Sequence, residues 1–228
     1  MNIIITGAGK GIGLELCKRF LQYPDIHILA ISRDTGKLEI IAREHSFLHP
    51  CSLDLENGNY ATVINQLSSL PGGKAAVLIN NAGLLLKKAF KDLNTEDNKR
   101  MLAVNYLAPF ELIQMLLPYF TPDAHIVNIS SMGGFQGSIK FDQLSGYSAS
   151  KAALACLTEC LAVELQERNI KVNCLCPGSV QTEMFQQAFP GSKASAEPEK
   201  IAGFIVEFAL NAHHFMNGKI IPLSLSVP

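Results

Sequence analysis

Short apolar runs alternate with longer amphipathic stretches along the chain. The runs are rich in Ile, Val and Leu and occupy residues 2–6, 27–32, 75–80, 125–130, 171–176 and 219–223. Because apolar residues are consecutive within them, as at Ile3 and Ile4, both faces of each predicted strand are expected to be buried. Between the runs, apolar residues recur at spacings of three and four, as at Leu154, Leu157 and Leu161, which is typical of helices. The alternation predicts an α/β fold, a doubly wound parallel sheet with helices on both faces.

Composition narrows the class of protein. The chain has 228 residues, of which 48% are hydrophobic and 17% charged, and its formal net charge at pH 7 is −1. The high apolar fraction and the low net charge exclude a disordered chain. They also argue against a nucleic-acid partner, because proteins that bind nucleic acid usually carry a cluster of basic residues. No run approaches the ~20 apolar residues of a membrane span, and the first residues lack the pattern of a signal peptide. We therefore expect a soluble, cytoplasmic protein with no membrane contact, folded as one domain over residues 1–228, with part of its surface covered.

The six cysteines are scattered along the chain, which favours a reducing compartment over a disulfide framework. Cys156 with Cys160, and Cys174 with Cys176, have spacings that a metal site would use. Their neighbours are apolar, so the four are interpreted as buried small residues. We expect no metal site.

A glycine-rich turn follows the first predicted strand directly. It reads Thr6-Gly7-Ala8-Gly9-Lys10-Gly11-Ile12-Gly13 and opens onto a predicted helix. Glycines permit a tight turn and let backbone N–H groups approach a pyrophosphate at the helix N-terminus, where the helix dipole favours anions. The position of the turn, at the first strand-to-helix junction of the α/β pattern, indicates a dinucleotide-binding site.

The glycine spacing and the motifs that follow it in order resemble those of one known family. After the turn come Asn80-Asn81-Ala82-Gly83, Asn105 within a predicted helix, Ser130-Ser131, Tyr147-Ser148-Ala149-Ser150-Lys151, and Pro177-Gly178-Ser179-Val180-Gln181-Thr182. The series resembles the classical short-chain dehydrogenase/reductase family over essentially the whole chain. This resemblance implies a single-domain Rossmann fold and an oxidoreductase that transfers a hydride between nicotinamide and a carbonyl or secondary alcohol, similar to the NADPH-dependent carbonyl reductases.

Four side chains are candidates for the chemistry. Tyr147 and Lys151 are four residues apart, so they share one face of a helix. A neighbouring ammonium would favour the phenolate and lower the pKa of Tyr147 by on the order of 1 to 3 units, which suits proton transfer to a carbonyl or from an alcohol. Ser131, rather than Ser130, would hold the same oxygen. By resemblance, Lys151 also binds the nicotinamide ribose, and Asn105 holds a water in a proton relay to Lys151.

The end of the second strand bears on the choice of cofactor. An acidic residue there would bind the ribose hydroxyl of NAD, whereas an arginine would accommodate the 2′-phosphate of NADP. Here Ser32 is followed by Arg33, and Lys10 adds a second cation, so NADP(H) is favoured over NAD(H). Asp34 is the counter-argument and is interpreted as a solvated turn residue. Asp54 resembles the family's adenine-contacting Asp, and its alternative role is to cap the next helix.

Cofactor and substrate are expected to share one site. The expected cofactor-binding residues are Gly7, Lys10, Gly11, Ile12, Gly13, Arg33, Asp54, Leu55, Asn81, Ala82, Gly83, Tyr147, Lys151, Pro177, Gly178, Val180 and Thr182. Two segments expected to be irregular, 133–146 and 183–197, follow strands at their carboxyl ends and are candidate substrate walls. Their aromatic residues either line an apolar pocket for a small carbonyl or alcohol substrate or pack locally, and the sequence leaves both open.

Two predicted helices bear on the assembly of the protein. The predicted helices at residues 105–120 and 147–165 are apolar nearly all round, so each is expected to be buried on more than one side. In the family that the chain resembles, these helices form an interface between subunits, which implies a homodimer or homotetramer. The segment 218–228 departs from the ending common in relatives, so both assemblies stay open. The rival functions are an NAD-dependent alcohol dehydrogenase and a non-catalytic dinucleotide-sensing protein.

Overall fold

Seven parallel strands form one sheet in the computed structural model, which describes residues 1–225. The strands are β1 (Asn2–Thr6), β2 (His27–Ser32), β3 (Leu48–Ser52), β4 (Ala75–Asn80), β5 (Phe120–Ile129), β6 (Lys171–Pro177) and β7 (Ile220–Leu223), in the order β3-β2-β1-β4-β5-β6-β7. The helices are α1 (Gly11–Phe20), α2 (Gly36–Glu44), α3 (Ala61–Ser69), α4 (Thr95–Leu102), α5 (Ala108–Leu116), α6 (Ser145–Glu164), α7 (Glu183–Ala188) and α8 (Pro198–Asn211). The predicted doubly wound α/β fold is confirmed. The last residues of the predicted domain and of the C-terminal segment, 226–228, lie outside the described residues.

Helices cover both faces of the sheet. On one face, Ile4 of β1 packs in a buried cluster with residues such as Leu112 of α5. On the other face, Ile5 packs with Phe20 of α1 and Ile205 of α8. Neighbouring residues of a strand point to opposite faces, so a run of consecutive apolar residues supplies both clusters. This double burial accounts for much of the low charge of the chain.

The apolar pattern missed β3. Its sequence, Leu-His-Pro-Cys-Ser, has no apolar run, yet it pairs in parallel with β2, with Leu48 opposite Ile28. β3 is an edge strand, where Pro50 is tolerated because one side of the strand needs no N–H partner. The opposite edge strand, β7, also contains a proline, Pro222. A proline on an edge removes a donor that another strand would need, so both edges are poor templates for strand addition.

Three other boundaries differ from the sequence predictions. β5 begins at Phe120 rather than at residue 125, and its pairing with β4 shifts register between Ala75 and Val77. The helix expected over residues 105–120 is interrupted by a π-helical turn at Ala103–Leu107 before α5 begins. The segment 183–197 is not wholly irregular, because α7 occupies its first part.

The helical stretch Thr95–Tyr119 and α6 both carry exposed apolar side chains. By length and composition alone, this stretch could cross a membrane, a criterion that core helices of soluble proteins also meet. Leu107 and Phe110 remain 44% and 38% exposed, and Val163 of α6 is 73% exposed.

The expectation that Cys156 and Cys160 are buried is wrong, because both lie on the exposed side of α6, whereas Cys174 and Cys176 are buried as expected. In residues 1–225, no group of three His, Cys, Asp or Glu side chains is placed to hold a metal ion.

A buried histidine lies in the middle of β5, away from the carboxyl edge of the sheet. His125 is fully buried, and its ring contacts those of Phe208 and His213. The proton on Nδ1 is donated to the carbonyl of Ala209 at 3.0 Å, while Nε2 accepts from the Asn173 amide at 3.0 Å, so the neutral ring satisfies both contacts. Burial lowers the pKa of His125 to about 4, although the bond to Ala209 opposes the shift.

Acidification is therefore expected to destabilise the fold. Since the pKa of His125 is about 4 when folded and ~6.5 when unfolded, the unfolded chain takes up a proton that the folded chain excludes. The stability due to the neutral ring is complete above about pH 6.5 and declines as the pH falls toward 4, by about 2 kcal/mol at pH 5. Urea denaturation between pH 7.5 and 5 measures this slope. His125→Gln should flatten it and His45→Gln, at an exposed position, should not; an unaltered slope in His125→Gln contradicts the assignment.

Candidate active site

A cleft of about 820 Å³ lies along the carboxyl ends of the strands. One end is lined by Lys10, Arg33 and Asp54, and the other contains Tyr147 and Met184. The cleft crosses the junction of β1 and β4, which are neighbours in the sheet but far apart in sequence. Ligands of open α/β sheets bind at this kind of switch point, where the strand order reverses.

The glycine turn after β1 is shaped for close approach of an anion. Gly7 has a φ of +67°, and a Cβ there would lie 2.7 Å from the Cα of Ala82. A Cβ on Gly13 would lie 2.2 Å from the carbonyl oxygen of Gly7. Lys10, the first flanking residue of α1, makes no side-chain cap, so the N–H groups of the first turn are available to a pyrophosphate. The residues present therefore fit a dinucleotide.

Thr6 and Asn81 hold the glycine turn against the end of β4. The Thr6 hydroxyl accepts hydrogen bonds from the backbone N–H groups of Asn81 and Ala82, both at 3.0 Å. In return, the Asn81 amide donates to the carbonyls of Thr6 at 3.0 Å and Gly7 at 3.3 Å. The sequence motifs predict a cofactor contact for Asn81 and assign no role to the Thr6 side chain. The structure shows that both side chains fix the backbone of the turn.

Two cations lie at the outer end of the cleft. Lys10 and Arg33 are exposed on its wall, and within residues 1–225 neither forms an ion pair. The Asp34 carboxylate accepts from the N–H of Gly36 at 3.0 Å, which confirms its interpretation as a turn residue. Asp54 lines the cleft and accepts from the N–H of Glu56 at 3.0 Å. Its alternative role as a helix cap is wrong, since α3 begins only at residue 61.

The inner end of the cleft brings together Tyr147 and Lys151 of α6 and Ser131 after β5. The Ser131 hydroxyl lies near enough to the Tyr147 phenol to lower its pKa, and it accepts from the backbone N–H of Gly133 at 3.1 Å. Ser130 is buried and donates instead to the backbone carbonyl of Lys151 at 2.8 Å, so it ties α6 to the end of β5. The Lys151 ammonium donates to the carbonyl of Ile129 at 2.8 Å. The two serines thus have different partners, as the alternation of side chains along a strand predicts.

Burial controls the titration of both groups on α6. It raises the pKa of Tyr147, while the nearby Ser131 hydroxyl lowers it. Burial also lowers the pKa of Lys151 to about 8. The expectation that Lys151 lowers the pKa of Tyr147 is wrong for the protein alone, because loss of solvent around the phenol outweighs the favourable contacts of its charged form.

Asn105 lies directly behind the cleft wall, in the π-helical turn. Its amide donates to the carbonyl of Leu84 and to the Ser150 hydroxyl, both at 2.9 Å, and its side-chain oxygen accepts from the Leu84 N–H at 2.8 Å. The side chain is therefore committed to protein partners. Pro109, four residues later, has no N–H to offer the backbone carbonyl of Asn105. An α-helical bond from residue 109 to that carbonyl is therefore impossible.

Nearly all the expected cofactor-binding residues line the cleft. Gly13 is the exception, since it lies behind the wall against Gly7. Residues that the sequence analysis missed also line the wall, including Ile31, Leu53 and Leu84. Their aliphatic side chains carry no distinctive motif, so only the topology could have placed them.

The two substrate walls are braced by polar contacts. In the first, the Lys140 ammonium donates to the carbonyls of Gly133 and Phe135 at 3.0 and 2.6 Å. In the second, Thr182 caps α7, and the Gln181 side chain accepts from the N–H of Ala194 at 2.7 Å. From these two segments, the aromatic and apolar side chains on the cleft wall are Ile139, Phe141, Leu144, Met184, Phe185 and Phe189. Both alternatives are therefore observed, because these side chains line the cleft whereas Phe135 packs locally against the cluster that contains Met132.

A family model described as short chain dehydrogenase matches residues 1–193. The chain is a short-chain dehydrogenase. This short-chain dehydrogenase is 30% identical over 203 residues to carbonyl reductase (NADPH) 2 of Sus scrofa, an alignment that covers 87% of this chain and 77% of the pig protein. The fold also matches 4-hydroxyisoleucine dehydrogenase mutant complexed with NADH and succinate, with 26% identity, a TM-score of 0.84 and coverage of 98% and 96% of the two chains. A second solved structure, ElxO with NADP bound, gives 27% identity, a TM-score of 0.82 and coverage of 97% and 96%.

These similarities place the chain in a family of oxidoreductases. They include proteins bound to NADH and to NADP. The short-chain dehydrogenase spans 58% to 65% of the length of three vertebrate relatives named dehydrogenase/reductase SDR family member 7B, which are 29% to 30% identical to it.

The Thr6 hydroxyl is expected to be essential for the stability of the glycine turn. Thr6→Val keeps the shape but removes the acceptor of two backbone N–H groups, which should cost about 1–3 kcal/mol of unfolding free energy. Thr6→Ser keeps the oxygen and serves as the matched control. Urea denaturation of the three proteins measures the difference. Equal stability of the valine and serine variants would show that the two hydrogen bonds contribute nothing.

Proposed function

We propose that this short-chain dehydrogenase is an NADP(H)-dependent reductase of a small carbonyl compound. The observation that carries the proposal is the placement of Tyr147, Ser131 and Lys151 at the inner end of a cleft whose outer end presents Lys10 and Arg33. The similarity to the pig carbonyl reductase supports the same reaction class. The rival function of a non-catalytic sensor gives no reason for a phenol, a hydroxyl and an ammonium to converge in this way.

In this proposal Tyr147 is the general acid. When bound, the reduced nicotinamide supplies the hydride. Ser131 holds the carbonyl oxygen by a hydrogen bond, and the Tyr147 phenol donates its proton to that oxygen as negative charge develops. Because burial raises the pKa of Tyr147, the phenol keeps its proton at neutral pH. The protonated phenol is the form that can donate to a carbonyl oxygen, as the proposed reduction requires.

Lys151 and Asn105 complete the proposed proton pathway. The Lys151 ammonium lies close to Gly83 and to Asn105, since a Cβ on Gly83 would be 3.4 Å from its nitrogen and 3.5 Å from the Asn105 side-chain oxygen. We assign Lys151 to the nicotinamide ribose and to the return of a proton to Tyr147. The backbone carbonyl of Asn105, which Pro109 leaves without its helical donor, is the group proposed to hold the relay water.

Removal of the Tyr147 hydroxyl tests the catalytic assignment. Tyr147→Phe should lower kcat for ketone reduction by roughly 10²–10⁴-fold, the usual contribution of a general acid. Binding of NADPH, followed by its fluorescence, should persist because the ring remains. Tyr23→Phe, which removes a surface hydroxyl bonded to Glu207, is the matched control. NADPH absorbance with a panel of ketones, diketones, quinones and thioesters measures the rates, and full activity of Tyr147→Phe contradicts the role.

The preference for NADP(H) is argued from charge at the outer end of the cleft. Arg33 and Lys10 are exposed there without ion-pair partners among the described residues, and one oxygen of the Asp34 carboxylate accepts from the Gly36 N–H. A 2′-phosphate would find two cations, whereas the ribose hydroxyl of NAD would find Ser32 rather than an acidic residue at the last position of β2.

Exchange of Arg33 tests this preference. Arg33→Ser should raise the KM for NADPH about tenfold or more and change the KM for NADH far less, because only NADPH carries the phosphate. Arg43→Ser, which removes an arginine from the end of α2, is the control. Equal KM values for the two cofactors in the unaltered enzyme, or an unchanged ratio in Arg33→Ser, would overturn the assignment.

We also propose a soluble, cytoplasmic homodimer or homotetramer of single-domain subunits. The exposed Leu107, Phe110 and Val163 give α5 and α6 an apolar surface that a second subunit would cover. All six cysteines are free, which suits a reducing compartment. Neither the charge of the chain nor the cleft offers a surface for nucleic acid.

A further inference from the structure

We infer that the substrate is a keto acid whose carboxylate binds in a side pocket at the rim of the cleft, with Lys87 as its cation. The inference rests on the proposed reductase function and names its substrate class. The side pocket has a volume of about 180 Å³ and shares Leu85 and Met184 with the main cleft. Its wall consists of Leu85, Leu86, Lys87, Lys88, Met184, Gln187 and Ala188. The two cavities are therefore neighbours, with two apolar side chains on their common border, and we place the substrate across that border.

Two lysines make the wall of the side pocket positive, and only one of them is paired with a carboxylate. The Lys88 ammonium is paired with the Asp97 carboxylate at 2.7 Å, and this contact helps to lower the pKa of Asp97. Lys87 is exposed, and within the described part of the chain no carboxylate lies within 4.0 Å of its ammonium. No acidic side chain lines the pocket. One unpaired cation matches the single charge of a carboxylate, and Gln187 adds an amide that can donate to it.

Phe189 orients Lys87 across the mouth of the cleft. The Lys87 ammonium lies 4.4 Å from the centroid of the Phe189 ring, and Phe189 packs on Phe185 of α7 with ring centroids 5.2 Å apart. A cation over an aromatic face is attracted to it and loses freedom to extend into solvent. The contact thus holds the charge beside the cleft, at the end of α7.

The stretch between the reacting centre and Lys87 is apolar. Phe185, Phe189 and Met184 line one side, and on the facing loop Ile139 and Phe141 are 65% and 58% exposed. Large apolar side chains with this exposure gain from contact with an apolar ligand. The geometry therefore fits an aliphatic or aromatic segment between the ketone and the carboxylate.

Comparing the binding of a keto acid with that of its methyl ester isolates the effect of the carboxylate charge. Benzoylbutyrate and its methyl ester share the ketone and the apolar segment, and only the acid carries a charge. Calorimetric titration of each into protein saturated with NADP⁺ measures binding without any turnover. We expect the acid to bind about tenfold more tightly than the ester, and this preference should fall as salt is added.

Variants of Lys87 assign the preference to one side chain. Lys87→Gln should remove most of the tenfold acid-over-ester ratio, and Lys87→Arg should retain it because the charge remains. Lys91→Gln, which removes an exposed lysine outside both pockets, is the control and should leave the ratio unchanged.

The binding results and the rates have separate consequences. Equal binding of acid and ester, binding of neither, or the same ratio in Lys87→Gln as in the unaltered protein would overturn the keto-acid inference. A preserved acid preference that depends on Lys87 supports the side pocket whatever the rates are. Absence of NADPH-dependent reduction of benzoylbutyrate in that case counts against the reductase proposal alone.

Discussion

The hydrogen bonds that the Thr6 hydroxyl accepts from two N–H groups after β4 are the contact on which the site depends. They join the ends of β1 and β4, the two strands between which the chain reverses direction across the sheet. Asn81 completes the junction from the other side through the carbonyls of Thr6 and Gly7. The glycine turn has little intrinsic preference for one conformation, so external partners must select it. Without this junction, the N-terminus of α1 would not be aimed into the cleft.

A second set of buried polar contacts fixes α6 relative to the sheet. Asn80 donates to Asn128 at 2.8 Å, and Asn128 donates to Thr158 of α6 at 2.9 Å, so a ladder of side chains crosses from β4 through β5 to the helix. Ser130 binds the backbone of α6 at Lys151, and Asn105 binds it at Ser150. Buried polar groups are costly unless they are paired, so a helix held by three such contacts has one register of low energy. The register of α6 against the sheet determines the positions of the Tyr147 and Lys151 side chains in the cleft.

Much of this arrangement could be predicted from the sequence, and the failures have physical reasons. Consecutive apolar residues predict the strands that are buried on both faces. The spacing of Tyr147 and Lys151 predicts that both lie on one face of a helix. β3 carries no such signal because an edge strand is buried on fewer sides and accepts Pro50. The exposure of Cys156 and Cys160 was missed because an apolar neighbourhood in sequence predicts burial only if every face of the helix has a partner within the chain. Lys87 was missed because its significance comes from Phe189, which is distant in sequence.

The titration of Tyr147 could not be derived from spacing, because the sign of a pKa shift depends on which of two opposing effects is larger. A helical spacing of four residues brings an ammonium near a phenol, and in water this would favour the phenolate. Here both groups are buried, and the Lys151 ammonium donates to the carbonyl of Ile129, a neutral partner that returns only part of the lost hydration. The pKa of Lys151 therefore falls to about 8, while that of Tyr147 rises. Near neutral pH the site still holds a cation and a proton on the phenol, and a developing negative charge on a substrate oxygen is what such a pair stabilises. The protonation state of this pair is therefore set by burial, which the spacing of the two residues does not reveal.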